Sequence, residues 1–252
     1  MKLTVCEFPD ESKRRERAWG SLVRHLTTSP TDIVVLPEMP GCDWKPFTSR
    51  TVDLAAWQAA LIAHDQLIAR LGELQTRMVL SSRPVGVQDQ RFNQAFCWTR
   101  DEGYRGVREK HYLPDDPDGW EATWFHRGRR DFSPVTVGDV TIGFQLCTEL
   151  LFSEAAWEIG RGGAQILAVP RATSGHRRWP AAACLAAVMS GCFVASANRR
   201  SYENEAFAGR AWVVSPEGEI LGETTTELPF LTVEIDLAAA DRAKKTYPRN
   251  LL

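Results

Sequence analysis

Short apolar, β-branched runs recur along this chain, separated by longer segments of helical period, and that alternation restricts the fold more than any other feature. LTVCEF (3–8) and DIVVLP (32–37) read as strands, with a charged helical stretch over about 11–28 between them. VDLAAWQAALIAHDQLIARL (52–71) has the spacing of a helix that gathers Leu54, Trp57, Leu61, Ile62, Ile68 and Leu71 on one face. Strands are expected at about 77–83, 92–99 and 104–110, and VTVGDVTIGFQL holds two more, joined by a turn at Gly138-Asp139. Ser153 is expected to cap a helix that Gly160 to Gly163 end, before the strand AQILAVP (164–170). Pro180 opens a small-residue helix, PAAACLAAVMSG, suited to close packing on a neighbour. CFVASAN (192–198), AFAGRAWVVS (206–215), GEILGE (218–223) and PFLTVEID (229–236) then make the second half rich in strand. Helices alternating with the strands they cover define an α/β class. No linker, repeat or low-complexity tract interrupts the pattern, so one domain over 1–252 is expected, long enough to bury a large core.

Charge and motif content remove several function classes. With 30 Lys and Arg against 32 Asp and Glu, the formal charge of -2 provides no field to draw nucleic acid or an anionic membrane. The opening MKLTVCEFPDESKRRER turns charged after a short apolar run and has no signal-peptide core, so a cytoplasmic protein is expected. Its six cysteines contain no C-x-x-C pairing and sit mostly within apolar segments, as reduced core thiols do. There is no G-x-S-x-G elbow, no phosphate loop and no H-E-x-x-H, and the five histidines are scattered, so no metal is implied. GRGG at 160–163 follows a helix instead of opening one, which makes it a helix stop and not an anion cradle.

One cysteine remains to be explained. Along VTIGFQLC, alternation groups Val140, Ile142, Phe144 and Leu146 on one face and Thr141, Gly143, Gln145 and Cys147 on the other. Cys147 is thus expected on the less apolar side at the C-terminal edge of a sheet, where α/β folds place their sites, although an isolated cysteine is by default a core thiol. Three ionisable residues stand at comparable places: Glu38 after DIVVLP, Lys110 at the end of GVREK, and Glu121 in a loop over 111–132 too long for a simple connector. Together they compose what nucleophilic attack on an amide carbonyl requires.

These segments resemble the carbon–nitrogen hydrolase family, the nitrilase superfamily, in order and spacing over essentially the whole chain. The resemblance rests on VVLPE (34–38), RFNQA (91–95), EKHYLP (109–114), the E-x-x-W-F-x-x-G of 121–128, GFQLCTELLFSE (143–154), GGAQILAVP and ASAN (195–198). It implies an α-β-β-α sandwich, commonly paired into a homodimer or higher homo-oligomer, with the helix at 180–191 and TYPRNLL as contact surfaces. It also implies Cys147 as nucleophile, Glu38 as general base, Lys110 with the Thr148 backbone N–H as oxyanion donors, and Glu121 positioning Lys110 and water, with no metal or organic cofactor. Tyr112 stands where the family often has histidine, and AAVMSG replaces its usual R-A-x-E-N helix.

Thr148-Glu149 after the cysteine looks more like general amidases than nitrilases, so the expected substrate is a small linear carboxamide. An N-carbamoyl compound, a nitrile, acyl transfer from the same thioester, and a non-catalytic binding member remain as rivals. Arg171 either binds a substrate carboxylate or pairs with Glu149 or another acid. Trp124 and Phe125 either wall an acyl pocket or pack the loop down.

Overall fold

A computed structural model describes residues 1–116 and 119–251. The chain runs β1 (Lys2–Pro9), α1 (Ser12–Thr28), β2 (Ile33–Val35), α2 (Leu54–Arg70), then the antiparallel strands β3 (Met78–Val87), β4 (Gln90–Thr99) and β5 (Gly103–Glu109). A short helix, α3 (Glu121–Trp124), follows, and then β6 (Val135–Val137), β7 (Val140–Phe144), α4 (Ser153–Arg161), β8 (Ile166–Arg171), α5 (Arg178–Ser190) and β9 (Phe193–Arg200). The last elements are β10 (Trp212–Val214), β11 (Ile220–Glu223), β12 (Phe230–Glu234) and α6 (Leu237–Ala243).

The strands lie in the order β5-β4-β3-β2-β1-β9-β8-β7-β6. β1 belongs to both halves: Leu3, Thr4 and Val5 pair with β2, while Glu7, Phe8 and Pro9 pair with β9. The halves face one another across a shared core of Leu3, Val5, Ile33 and Val35 from one side and Ile142, Phe144, Ile166, Ala168 and Ala195 from the other. The alternate residues of β8 and β9, Leu167, Val169 and Val194, turn outward against α4 and α5. Strands buried on both faces explain why these runs are apolar almost without interruption. With α1 and α2 covering the first half, the layers are α-β-β-α, as the resemblance implied.

Close contact between α4 and α5 accounts for the small residues at 180–191. Ala183, Ala186 and Ala187 pack on Ala155, Ala156 and Ile159, and a methyl group added at Gly160 would lie 2.1 Å from the Ser190 carbonyl oxygen.

Several expectations are corrected. In α2, Trp57, Ala60 and His64, spaced 3 and 4 apart, face the aromatic cluster around Phe47 and Phe125, and Ile68 packs on the sheet core, while Leu54 and Ile62 are exposed. Ser153 is the first residue of α4 and makes no side-chain cap. β10 covers only residues Trp212–Val214, toward the C-terminal end of 206–215. β7 ends at Phe144, so alternation stops three residues before Cys147. Of the long loop over 111–132, residues 117–118 lie outside the described residues, as does Leu252 of TYPRNLL. Among the described residues no helix is long and apolar enough to cross a membrane.

Because backbone, not a flexible side chain, opposes a methyl group at position 160, Gly160→Ala should cost about 1–3 kcal/mol. Calorimetry should show a melting point lower by roughly 3–10 °C. An unchanged value would contradict the α4–α5 contact.

Candidate active site

The strands β2, β7, β8 and β9 run parallel, so their C-terminal ends open at one edge. Glu38 lies just beyond β2, where Leu36 N–H still bonds to Leu80 and Ser81 Oγ donates to the Pro37 carbonyl at 2.6 Å. Lys110 follows β5, its N–H donating to the Asn93 carbonyl at 2.8 Å. Glu121 opens α3, and Cys147 opens a 3-10 turn, Cys147–Leu151, after β7.

Three of the four expected residues form one hydrogen-bonded cluster. Lys110 Nζ donates to Glu38 Oε1 at 2.8 Å and to both Glu121 oxygens at 2.9 and 2.8 Å. Asn93 Nδ2 donates to the same Glu38 Oε1 at 2.9 Å, and Glu38 Oε2 is buried with no hydrogen-bond partner among the described residues. Cys147 lies in the electrostatic field of all three, with its Sγ donating to the Ala172 carbonyl at 3.8 Å. Ala172 follows Arg171, whose own carbonyl accepts from Glu38 N–H, so the end of β8 touches both the acid and the thiol.

Cys147 has φ 51, in the left-handed region that a residue with a side chain rarely adopts. A sharp strand-to-turn reversal is thereby stored at the thiol. This reversal aims the side chain, and face alternation does not. Thr148 is the next residue, and the first amides of a helical turn have no acceptor within it, which leaves its N–H available.

Burial opposes the charge on Lys110, but the Glu121 and Glu38 carboxylates outweigh it and hold the ammonium well above its usual pKa. Two carboxylates around one ammonium leave an excess negative charge in a dry site. Burial pushes the Glu121 pKa up to about 7 against the pull of Lys110. The Cys147 thiol is raised by burial first and by the Glu38 carboxylate second, and the Lys110 charge does not reverse this. Burial and the Glu38 carboxylate thus both favour the neutral form of the Cys147 thiol.

Trp124 and Phe125 are buried in an apolar cluster with Phe47, Trp57 and Trp44; Phe47 lies edge-on to Trp124 at 4.9 Å and stacked on Phe125 at 5.4 Å. Met39 and Ala172 belong to the same cluster, so it forms a wall beside Glu38 and Cys147 while packing the loop. Arg171 is not paired with Glu149. It is fully buried, donates to Ser196 Oγ (2.6 Å), Thr173 Oγ1 (2.5 Å) and the Arg210 carbonyl (2.7 Å), and lies 3.8 Å over the Trp212 ring. Burial lowers its pKa to about 9.

Two participants carried no assigned role in the sequence. Asn93 sits in the RFNQA segment, whose spacing was legible but whose contact with Glu38 was not. Arg199 donates to the Glu38 and Met39 carbonyls and pairs with Asp10 at 2.5 Å, bracing the backbone that carries Glu38. It stands beside Asn198 in ASAN, with nothing in the sequence to distinguish it from the neighbouring Arg200.

The chain belongs to the carbon–nitrogen hydrolase family, whose model matches residues 14–245. It is thus a hydrolytic enzyme acting on carbon–nitrogen bonds. Among curated proteins, the nitrilase and fragile histidine triad fusion protein of Drosophila melanogaster is 31% identical over 121 residues, 46% of this chain and 26% of the fusion protein, so the match spans about a quarter of that relative. The crystal structure of a carbon–nitrogen hydrolase from Helicobacter pylori G27 shares the fold with a TM-score of 0.88 at 22% identity, covering 99% of this chain and 94% of that one. A mutant amidase from Nesterenkonia sp. AN1, with the acetamide moiety of fluoroacetamide added covalently at its active-site cysteine, has a TM-score of 0.78 at 20% identity, over 96% of this chain and 92% of that one.

A carboxyl whose pKa rises on folding favours the fold while the unfolded chain also holds its proton. Its contribution is fully present below pH 4.5 and is lost as pH climbs through about 7. Glu121→Gln removes this slope, so its urea midpoint should decline less than that of the wild type between about pH 5 and 7. Parallel declines would contradict the raised carboxyl.

Proposed function

We propose that the enzyme is a cysteine amidase that releases ammonia or an amine from a small linear carboxamide through a thioester on Cys147. The observation that carries this reading is the asymmetry of Glu38. One oxygen is anchored by Lys110 and Asn93, and the other is buried and free to accept a proton.

Glu38 Oε2 takes the Cys147 proton as Sγ attacks the carbonyl carbon, because only the thiolate is an effective nucleophile and burial keeps the resting group protonated. The carbonyl oxygen becomes an oxyanion held by Lys110 Nζ and the Thr148 N–H; one such donor is worth about 2.7–4 kcal/mol of barrier. Glu38 returns the proton to the leaving nitrogen, the C–N bond breaks, and a thioester remains. Water, deprotonated by the same carboxylate and oriented by Glu121, adds to the thioester, and the acid departs as Cys147 recovers its proton. The apolar cluster that holds Trp124 and Phe125, with Met39 and Ala172 beside Glu38 and Cys147, suits a compact acyl group. The covalent adduct at the cysteine of the Nesterenkonia amidase supports the same order of events here.

We further propose a cytoplasmic setting, supported by six unpaired thiols, and pairing of two copies through α5, supported by the exposure of Leu185 on that helix.

Cys147→Ala should abolish ammonia release from a panel of small amides, by about 10³-fold or more, while leaving the melting temperature nearly unchanged. Equal turnover by mutant and wild type would sink the reading.

A further inference from the structure

Glu149 takes no part in the proposed chemistry, yet it is fully buried and saturated with donors. On one side its Oε2 accepts from the N–H of Leu146, the residue before Cys147, at 2.8 Å. On the other, its Oε1 accepts from the N–H of His111, the residue after Lys110, at 2.7 Å. Arg108, two residues before Lys110, grips both oxygens at 2.5 and 2.9 Å and is itself steadied by the Asp131 carbonyl and the Phe132 ring. One carboxylate thus spans the segment that carries the nucleophile and the segment that carries the lysine, 41 residues apart in sequence. Gln145 reinforces the same turn, donating to the Glu149 and Phe152 carbonyls.

We propose that the Arg108–Glu149 pair is a positioning clamp that sets the distance between the two oxyanion donors, Lys110 Nζ and the Thr148 N–H. The inference rests on the amidase reading above. Neither residue touches substrate. Their effect passes through the donors on either side, and bidentate geometry suits that task because it fixes direction as well as distance.

The consequence is selective. Acylation of Cys147 by p-nitrophenyl acetate forms an Sγ–C bond through a tetrahedral oxyanion, expels p-nitrophenolate and passes the thiol proton to Glu38. Alkylation by iodoacetamide forms an Sγ–CH₂ bond, expels iodide and needs the same proton acceptor but no oxyanion. In Glu149→Gln, acylation of Cys147 should slow by about tenfold or more, while alkylation stays within about threefold of wild type. Arg108→Lys keeps the charge inside the fold but loses the fork, and should show a smaller selective loss, which carries the test if Glu149→Gln does not fold. Equal slowing of both reactions, or of neither, overturns the clamp. A wild-type Cys147 that reacts with neither probe faster than the other five cysteines sinks the cysteine reading itself, and the clamp with it.

Discussion

A fully buried ammonium survives only where carboxylates meet it, and the architecture around Lys110 is the answer to that constraint. Removing one partner of such a pair generally costs about 3–5 kcal/mol, because the other charge is left uncompensated. β5 delivers the lysine beside Asn93, α3 brings Glu121 across from the loop, and the segment after β2, anchored where the Pro37 carbonyl accepts from Ser81, carries Glu38. Burial, with a smaller push from the Glu38 carboxylate, raises the Glu121 carboxyl against the pull of Lys110. The cluster is therefore poised around a proton before any substrate arrives.

Under the proposed mechanism, a Cys147 thiol kept neutral by burial and deprotonated only on attack is protected from side reactions. Strain at Cys147 serves the same end: a residue at φ 51 is held by its surroundings, here by Gln145, Glu149 and the turn they tie together.

Much of this was legible in the sequence because strands buried on both faces leave an unmistakable apolar signature, and because Glu38 and Cys147 follow such strands closely. What could not be read depends on contacts between distant segments. Nothing near Asn93 announces that it will bind a carboxylate 55 residues away. Glu149, two residues from the cysteine, invited pairing with Arg171, whereas the lysine strand supplied Arg108 instead. Alternation along VTIGFQLC carried Cys147 to one face, but the strand had already ended. Along the helix at 54–70 the expected Trp57, Leu61 and Ile68 do pack inward, but Ala60 and the neutral, doubly bonded His64 share that face, and Leu54 and Ile62 turn out.

β1 is the seam of the two half-sheets, and its partners come from opposite ends of the sequence. Thr4 bonds to Thr232 across 228 residues, and Glu7 is held by Arg200, Thr224 and the Arg210 amide. During synthesis the first strand thus leaves the ribosome long before the strands that flank it on the far side. Contacts of such long reach close slowly, and until they do an apolar strand keeps an unpaired edge. The half that carries Glu38 and Lys110 and the half that carries Cys147 remain unjoined in the growing chain, so a truncated product holds the cysteine without the neighbours that the folded site gives it.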